Sequence, residues 1–104
     1  MTEEQINELR EGIVNSISTV PGLVGLVNKE SQAQTLRVLT ETNYGKGIDI
    51  IPTSKGVEIK IFIIASLNVR TEIVARELSS AVESYFKANN HKISKINIYI
   101  KGVK

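Results

Sequence analysis

Val57-Glu58-Ile59-Lys60-Ile61-Phe62-Ile63-Ile64-Ala65 carries an apolar residue at every odd position, a period of two held over nine residues and rich in β-branched side chains. Only a strand sends alternate side chains to one side, and branching at Cβ suits a pleated surface. The odd-numbered row must therefore face a core. Glu58, Lys60, Phe62 and Ile64 are left on the opposite side.

Immediately upstream, Ile48 and Ile50 alternate with Asp49, and Pro52-Thr53-Ser54-Lys55-Gly56 supplies turn chemistry between the two apolar runs. We read an antiparallel hairpin. A slip of one residue would turn every side chain to the wrong side, so the register must keep both apolar rows together. Pairing Asp49 with Lys60 does this and leaves a four-residue loop, Thr53 to Gly56. Pairing Asp49 with Glu58 meets the same parity but sets like charges opposite each other, and is disfavoured.

Downstream, residues 69 to about 88 read as a helix with a broad stripe of Ile73, Val74, Leu78, Ala81, Val82, Tyr85 and Phe86. Asn68 or Thr71 is placed to cap it, Glu72 and Arg76 are spaced for a helical ion pair, and Asn89-Asn90 ends it. A final strand follows, with Ile96, Ile98 and Ile100 inward and Lys95, Asn97 and Tyr99 outward.

At the other end, Ile6, Leu9, Ile13 and Ile17 recur at spacings of three and four, the stripe of an amphipathic helix over residues 2 to about 18. Thr2 and Gln5 have the spacing of a capping box, Glu3 and Glu4 suit the positive end of the helix dipole, and Gly12 marks a close approach to another element. Pro21-Gly22 stops the helix, and Leu23 to Val27 reads as a short strand. Between residues 28 and 44 the pattern does not choose: Leu36, Val38 and Leu39 fit a short helix or a strand. The order is helix, hairpin, helix, strand. We expect one α+β domain over residues 1–104, two-layered, with two amphipathic helices on one face of a mainly antiparallel sheet of three to four strands.

Composition narrows the function. The chain has 104 residues, 41% hydrophobic and 23% charged, as one globular core requires. It has no cysteine, which excludes disulfides, thiolate zinc sites, iron–sulfur clusters and thiol catalysis, and fits a reducing cytoplasm. The start is acidic, unlike a signal peptide, and the longest apolar run, Ile61 to Ala65, is far below the roughly 20 residues of a membrane span. A net charge of +2 is mild, with basic and acidic residues interleaved, so nucleic acid is not the expected partner.

Catalytic chemistry finds little material. His91 is the only histidine and sits in a polar connection, so no Ser-His-Asp arrangement and no two-histidine metal site can be assembled around it. Glu4, Glu8 and Glu11 along the first helix read as a solvated face, and Asp49 and Glu58 as surface partners of Lys60. Gly45-Lys46-Gly47 leads into a strand, whereas a phosphate loop needs its Lys at a helix N-terminus followed by Ser or Thr. Gly22-Leu23-Val24-Gly25 matches the GXXG of KH modules, with apolar residues where such a loop presents basic ones. We therefore expect no catalytic, cofactor or metal residues and no small-molecule substrate.

What stands out is the outward row, which after Glu58 and Lys60 presents Phe62 and Ile64 with Tyr99 nearby. One-sided antiparallel sheets normally turn polar residues outward. Either the segment around Leu36 to Leu39 covers these side chains, or Lys60, Phe62, Ile64, Asn97 and Tyr99 form an interaction surface.

Tyr44-Gly45-Lys46-Gly47-Ile48, then Lys55-Gly56-Val57 opening the long strand, resembles the alkaline shock protein family of Gram-positive bacteria. The helix Glu72-Ile73-Val74-Ala75-Arg76-Glu77-Leu78, the ending Ile96 to Val103 and the early Val20-Pro21-Gly22-Leu23-Val24-Gly25 fit the same pattern. The resemblance implies a non-enzymatic cytoplasmic protein of the envelope stress response. It implies action through self-association or a protein partner, and placement near the membrane only through such a partner. It brings no catalytic residues. The alternative reading is a small RNA-binding module of KH-like order, carried by Gly22 to Gly25.

Overall fold

The computed structural model describes residues 1–30 and 37–104. In chain order the elements are α1 (Glu3–Ile17), β1 (Leu23–Leu26), a 3-10 segment (Glu41–Gly47), β2 (Ile48–Thr53), β3 (Gly56–Ala65), α2 (Thr71–Ala88) and β4 (Ile93–Val103). The decisive stretch forms β3, and the sheet is built around it. β2 pairs antiparallel with its first half, from Thr53↔Gly56 to Ile48↔Ile61, and β1 antiparallel with its last residues, from Leu26↔Ile63 to Leu23↔Ala65. These two short strands share one side of β3. β4 takes the other side and runs parallel to it. Parallel pairing follows from the crossover: α2 carries the chain back along β3, so the next strand restarts from the same end.

The expected two-layer α+β architecture is present, and so is the register Asp49↔Lys60. The turn is tighter than expected, because Thr53 and Gly56 still pair and only Ser54-Lys55 lie beyond them. Thr53 closes it: its hydroxyl donates to the Gly56 carbonyl at 2.6 Å and accepts from the Lys55 N–H at 3.2 Å.

Both helices pack on the odd-numbered face of β3. One core joins Leu9, Ile13 and Ile17 of α1 with Val74, Leu78, Val82 and Phe86 of α2 over Ile59, Ile61 and Ile63. At Gly12 the first helix meets a side chain of the second: a Cβ there would collide with the phenol ring of Tyr85. β4 contributes Ile96 and Ile98 to the margin of this core. Ile100, expected inward, is 36% exposed, because an edge strand is covered on one flank only.

The helix ends are only partly as expected. Thr2 and Gln5 form the reciprocal capping box, Gln5 N–H donating to Thr2 Oγ1 at 3.1 Å and Thr2 N–H to Gln5 Oε1 at 2.9 Å. Thr2→Ala is expected to lower stability by about 1 kcal/mol in urea denaturation; an unchanged midpoint would show the first turn to be uncoupled from folding. At α2 neither Asn68 nor Thr71 caps. The Ser66 hydroxyl accepts the Asn68 N–H and the Ser66 carbonyl the Val69 N–H, and this turn moves the cap position to Arg70, which makes no side-chain cap bond. Arg70 instead grips Glu72, at 2.9 Å from Nε and 2.7 Å from Nη2, so Glu72 is engaged here and not with Arg76. At the other end Asn90 adopts φ 59, His91 N–H reaches the Phe86 carbonyl at 2.9 Å, and Asn90 N–H the Lys87 carbonyl. This is a Schellman closure, with the His91 ring set edge-on to Phe86.

Candidate interaction surface on the open sheet face

The face of the sheet turned away from the helices is a grid set by register. Glu58 lies between Ile51 and Lys95, Lys60 between Asp49 and Asn97, Phe62 beside Tyr99, and Ile64 between Gly25 and Gly102. Four of the five residues expected to form a surface are accessible at least in part: Lys60, Phe62 and Asn97 are half-buried and Tyr99 is 38% exposed. Phe62 and Tyr99 stack with ring centroids 4.9 Å apart and planes 11° from parallel.

Ile64 is different. It is fully buried, as is Val27, yet neither belongs to the core beneath the helices. That end of the face is roofed. Leu39 N–H donates to the Leu26 carbonyl at 2.7 Å, which draws residues 37–40 along β1, and Val38 sits over Gly25, the partner of Ile64. Lys101, at an irregularity in β4, reaches over to the Lys29 carbonyl at 3.5 Å. The two readings of the outward row are thus divided in space: covered at Ile64, open at Phe62 and Tyr99. Leu36 lies outside the described residues.

The polar end is arranged differently from expectation. Asp49 is engaged by Lys29, which places Nζ 3.4 Å from its carboxylate, and not by Lys60. Both groups are exposed enough for the pair to add little stability. Among the described residues no three His, Asp or Glu side chains gather as metal ligands. Gly22-Leu23-Val24-Gly25 lies at and within β1, with Gly25 buried beneath Val38. No exposed GXXG loop exists there to clamp a nucleic-acid backbone.

Among the hollows lined by described residues, the two more spacious ones escaped sequence reading. One, of about 700 Å³, lies between α1 and the 3-10 segment, where Arg10 packs across Gly45 beside Tyr44 and its Nη1 donates to Asn7 at 3.0 Å. Glu11 is at its rim, but Glu4 and Glu8 are not part of it. The other, of about 380 Å³, runs between α2 and β4, over Ala75 and Ser79 and along Ile96 and Ile98. The signal for it was present: two small residues four apart on one helix stripe leave room beside whatever the helix covers.

A model of one protein family matches residues 7–104, nearly the whole chain. The chain belongs to the alkaline shock protein 23 family, described as having a cell-envelope-related function. Among relatives of this family member, the uncharacterized protein Spy1614 of Streptococcus pyogenes serotype M6 is 20% identical over 110 residues, covering 99% of this chain and 91% of that one. Solved structures of the MamM CTD share the fold. A zinc form superposes with a TM-score of 0.56 at 13% identity, covering 95% of this chain and 87% of that one. A copper form gives 0.55 at 13% identity over 93% and 96%. At such identity the likeness concerns fold alone. Among the described residues no helix is long and apolar enough to cross a membrane.

Proposed function

We propose that this single-domain member of the alkaline shock protein 23 family is a non-enzymatic binding or scaffold protein. It works through the uncovered part of its sheet face, in contact with a second copy or with a protein partner, in the cytoplasm and near the membrane only where that partner holds it. The observation that carries this reading is the Phe62–Tyr99 stack, an aromatic pair left open beside charged neighbours on the face the helices do not cover. Aromatic side chains of this kind supply most of the energy of small protein interfaces. Family membership supports a role at the cell envelope, and neither a small-molecule substrate nor a cofactor is part of the proposal.

Phe62→Asp tests it. A charge at the centre of the contact is expected to weaken self-association or partner binding more than tenfold, at least about 1.4 kcal/mol, while circular dichroism stays native. The measurement is sedimentation of the pure protein, together with recovery from the host membrane fraction for wild type and variant. A folded variant whose every association matches the wild type would overturn the proposal, as would a wild type that is monomeric and recovers no partner.

A further inference from the structure

We propose that the free edge of β4 takes up an extended acidic peptide of a partner protein as an additional strand. The inference deepens the binding role proposed above by assigning a second contact and the chemistry of what it accepts. An edge strand presents a row of backbone N–H and C=O groups with no ladder partner. Among the described residues β4 pairs only with β3, and from Lys95 to Ile100 its register runs unbroken for six residues between two irregularities. The opposite margin of the sheet is guarded. β2 carries Pro52, which has no N–H to offer, and β1 has its Leu26 carbonyl taken by Leu39. Among the described residues only β4 offers a long, unblocked edge.

Beside that edge lies the hollow of about 380 Å³ over Ala75 and Ser79. A strand added to β4 would direct every second side chain into this recess, continuing the row of Ile96 and Ile98, with Arg76 at its rim. Its other side chains would continue the open face next to Lys95, Asn97 and Tyr99. Charge names the occupant. Residues 84–104 contain five lysines, Lys87, Lys92, Lys95, Lys101 and Lys104, and no acid, although the whole chain carries only +2. A second copy of β4 is a poor fit: antiparallel pairing about Ile98 would bring Lys95 of each copy up to the irregular stretch that holds Lys101 of the other, and like charges brought together across a strand pair are destabilising. An alternation of small apolar and acidic residues satisfies the groove and the lysines together.

The test uses the full chain and a blocked octapeptide of alternating valine and glutamate, with binding read by fluorescence anisotropy and by amide hydrogen exchange. The expected result is binding that slows exchange in the segment Lys95 to Ile100. It should weaken at least tenfold when alternate peptide nitrogens are methylated, or when lysine replaces glutamate in the probe. Lys92→Gln combined with Lys95→Gln should weaken it several-fold. No binding, or equal binding of the lysine probe, would overturn the proposal. Equal binding of the methylated probe would overturn strand addition, because charge attraction alone needs no peptide N–H. A single-stranded RNA of equal charge that binds more tightly through the same lysines would assign the strip to nucleic acid instead. Each readout reports on β4 amides or its lysines, so failure here leaves the Phe62→Asp result standing, and the reverse.

Discussion

Phe86→Ala should lower the stability of the domain by about 3–5 kcal/mol, the range for removing a fully buried aromatic side chain. Phe86 is 1% exposed and closes the α2 side of the core in the last turn of the helix. Its loss removes buried apolar surface and leaves a cavity that residues held by the sheet register cannot collapse to fill. It also strips His91 of the ring it lies against, 5.8 Å away between centroids, so the Schellman closure loses its apolar contact. Since domains of this kind are stable by about 5–15 kcal/mol, the change takes a large share of the total. Urea denaturation gives the value. Phe86→Leu, which keeps most of the volume, should cost much less. A loss below about 1 kcal/mol for the alanine variant would mean that the end of α2 contributes little to the core.

The odd-numbered row of β3 was legible because alternation is a local property: Ile59, Ile61 and Ile63 declare one buried side whatever lies across from them. The hairpin register was legible for a related reason, since parity and one charge pair were enough to choose Asp49↔Lys60. Gly12 predicted a close approach, and Tyr85 supplies it. These inferences need only neighbours in sequence or a single partner.

The rest depended on groups far apart in the chain. Nothing in Leu23–Leu26 says that it pairs beyond the end of β2 on the same side of β3; that follows from where α1 delivers the chain. Ile64 could be placed on the outer face by parity, but it is fully buried at the end of the face where Val38 sits over its partner Gly25 and Lys101 reaches the Lys29 carbonyl. Asp49 lost Lys60 to a competitor twenty residues away, Lys29, that a hairpin viewed alone does not contain. The Phe62–Tyr99 stack was approachable because both residues belong to clear alternations, whereas their adjacency required knowing that β4 lies beside β3. The edge of β4 was invisible for the same reason. A strand becomes an edge only through the strands that fail to join it.

Gly56→Ala is the substitution expected to disturb that edge most directly. Gly56 has φ +131, a conformation that residues with a Cβ rarely adopt, and relieving it costs on the order of 1–3 kcal/mol. A Cβ there would also stand 2.8 Å from the Lys92 carbonyl oxygen and 3.1 Å from the Ser94 nitrogen, both backbone atoms that cannot swing aside as a side chain would. Overpacking of this sort adds about 1–3 kcal/mol. The same residue pairs with Thr53, and its neighbour Val57 donates to the Lys92 carbonyl at 2.8 Å, so the turn of the hairpin and the start of β4 meet at one point. The substitution should therefore do more than lower the global stability. Amide exchange is expected to rise first at Ile93 to Lys95, where β4 is pushed from β3, and only afterwards in the helices. In the binding test above, the variant should hold the acidic peptide less tightly even under conditions where it remains folded. If exchange increased uniformly along the chain, the start of β4 would be rigidly joined to the rest of the domain. If it did not increase at all, a Cβ would be tolerated at this junction, and the close packing of Gly56 on Lys92 would have no part in positioning the edge.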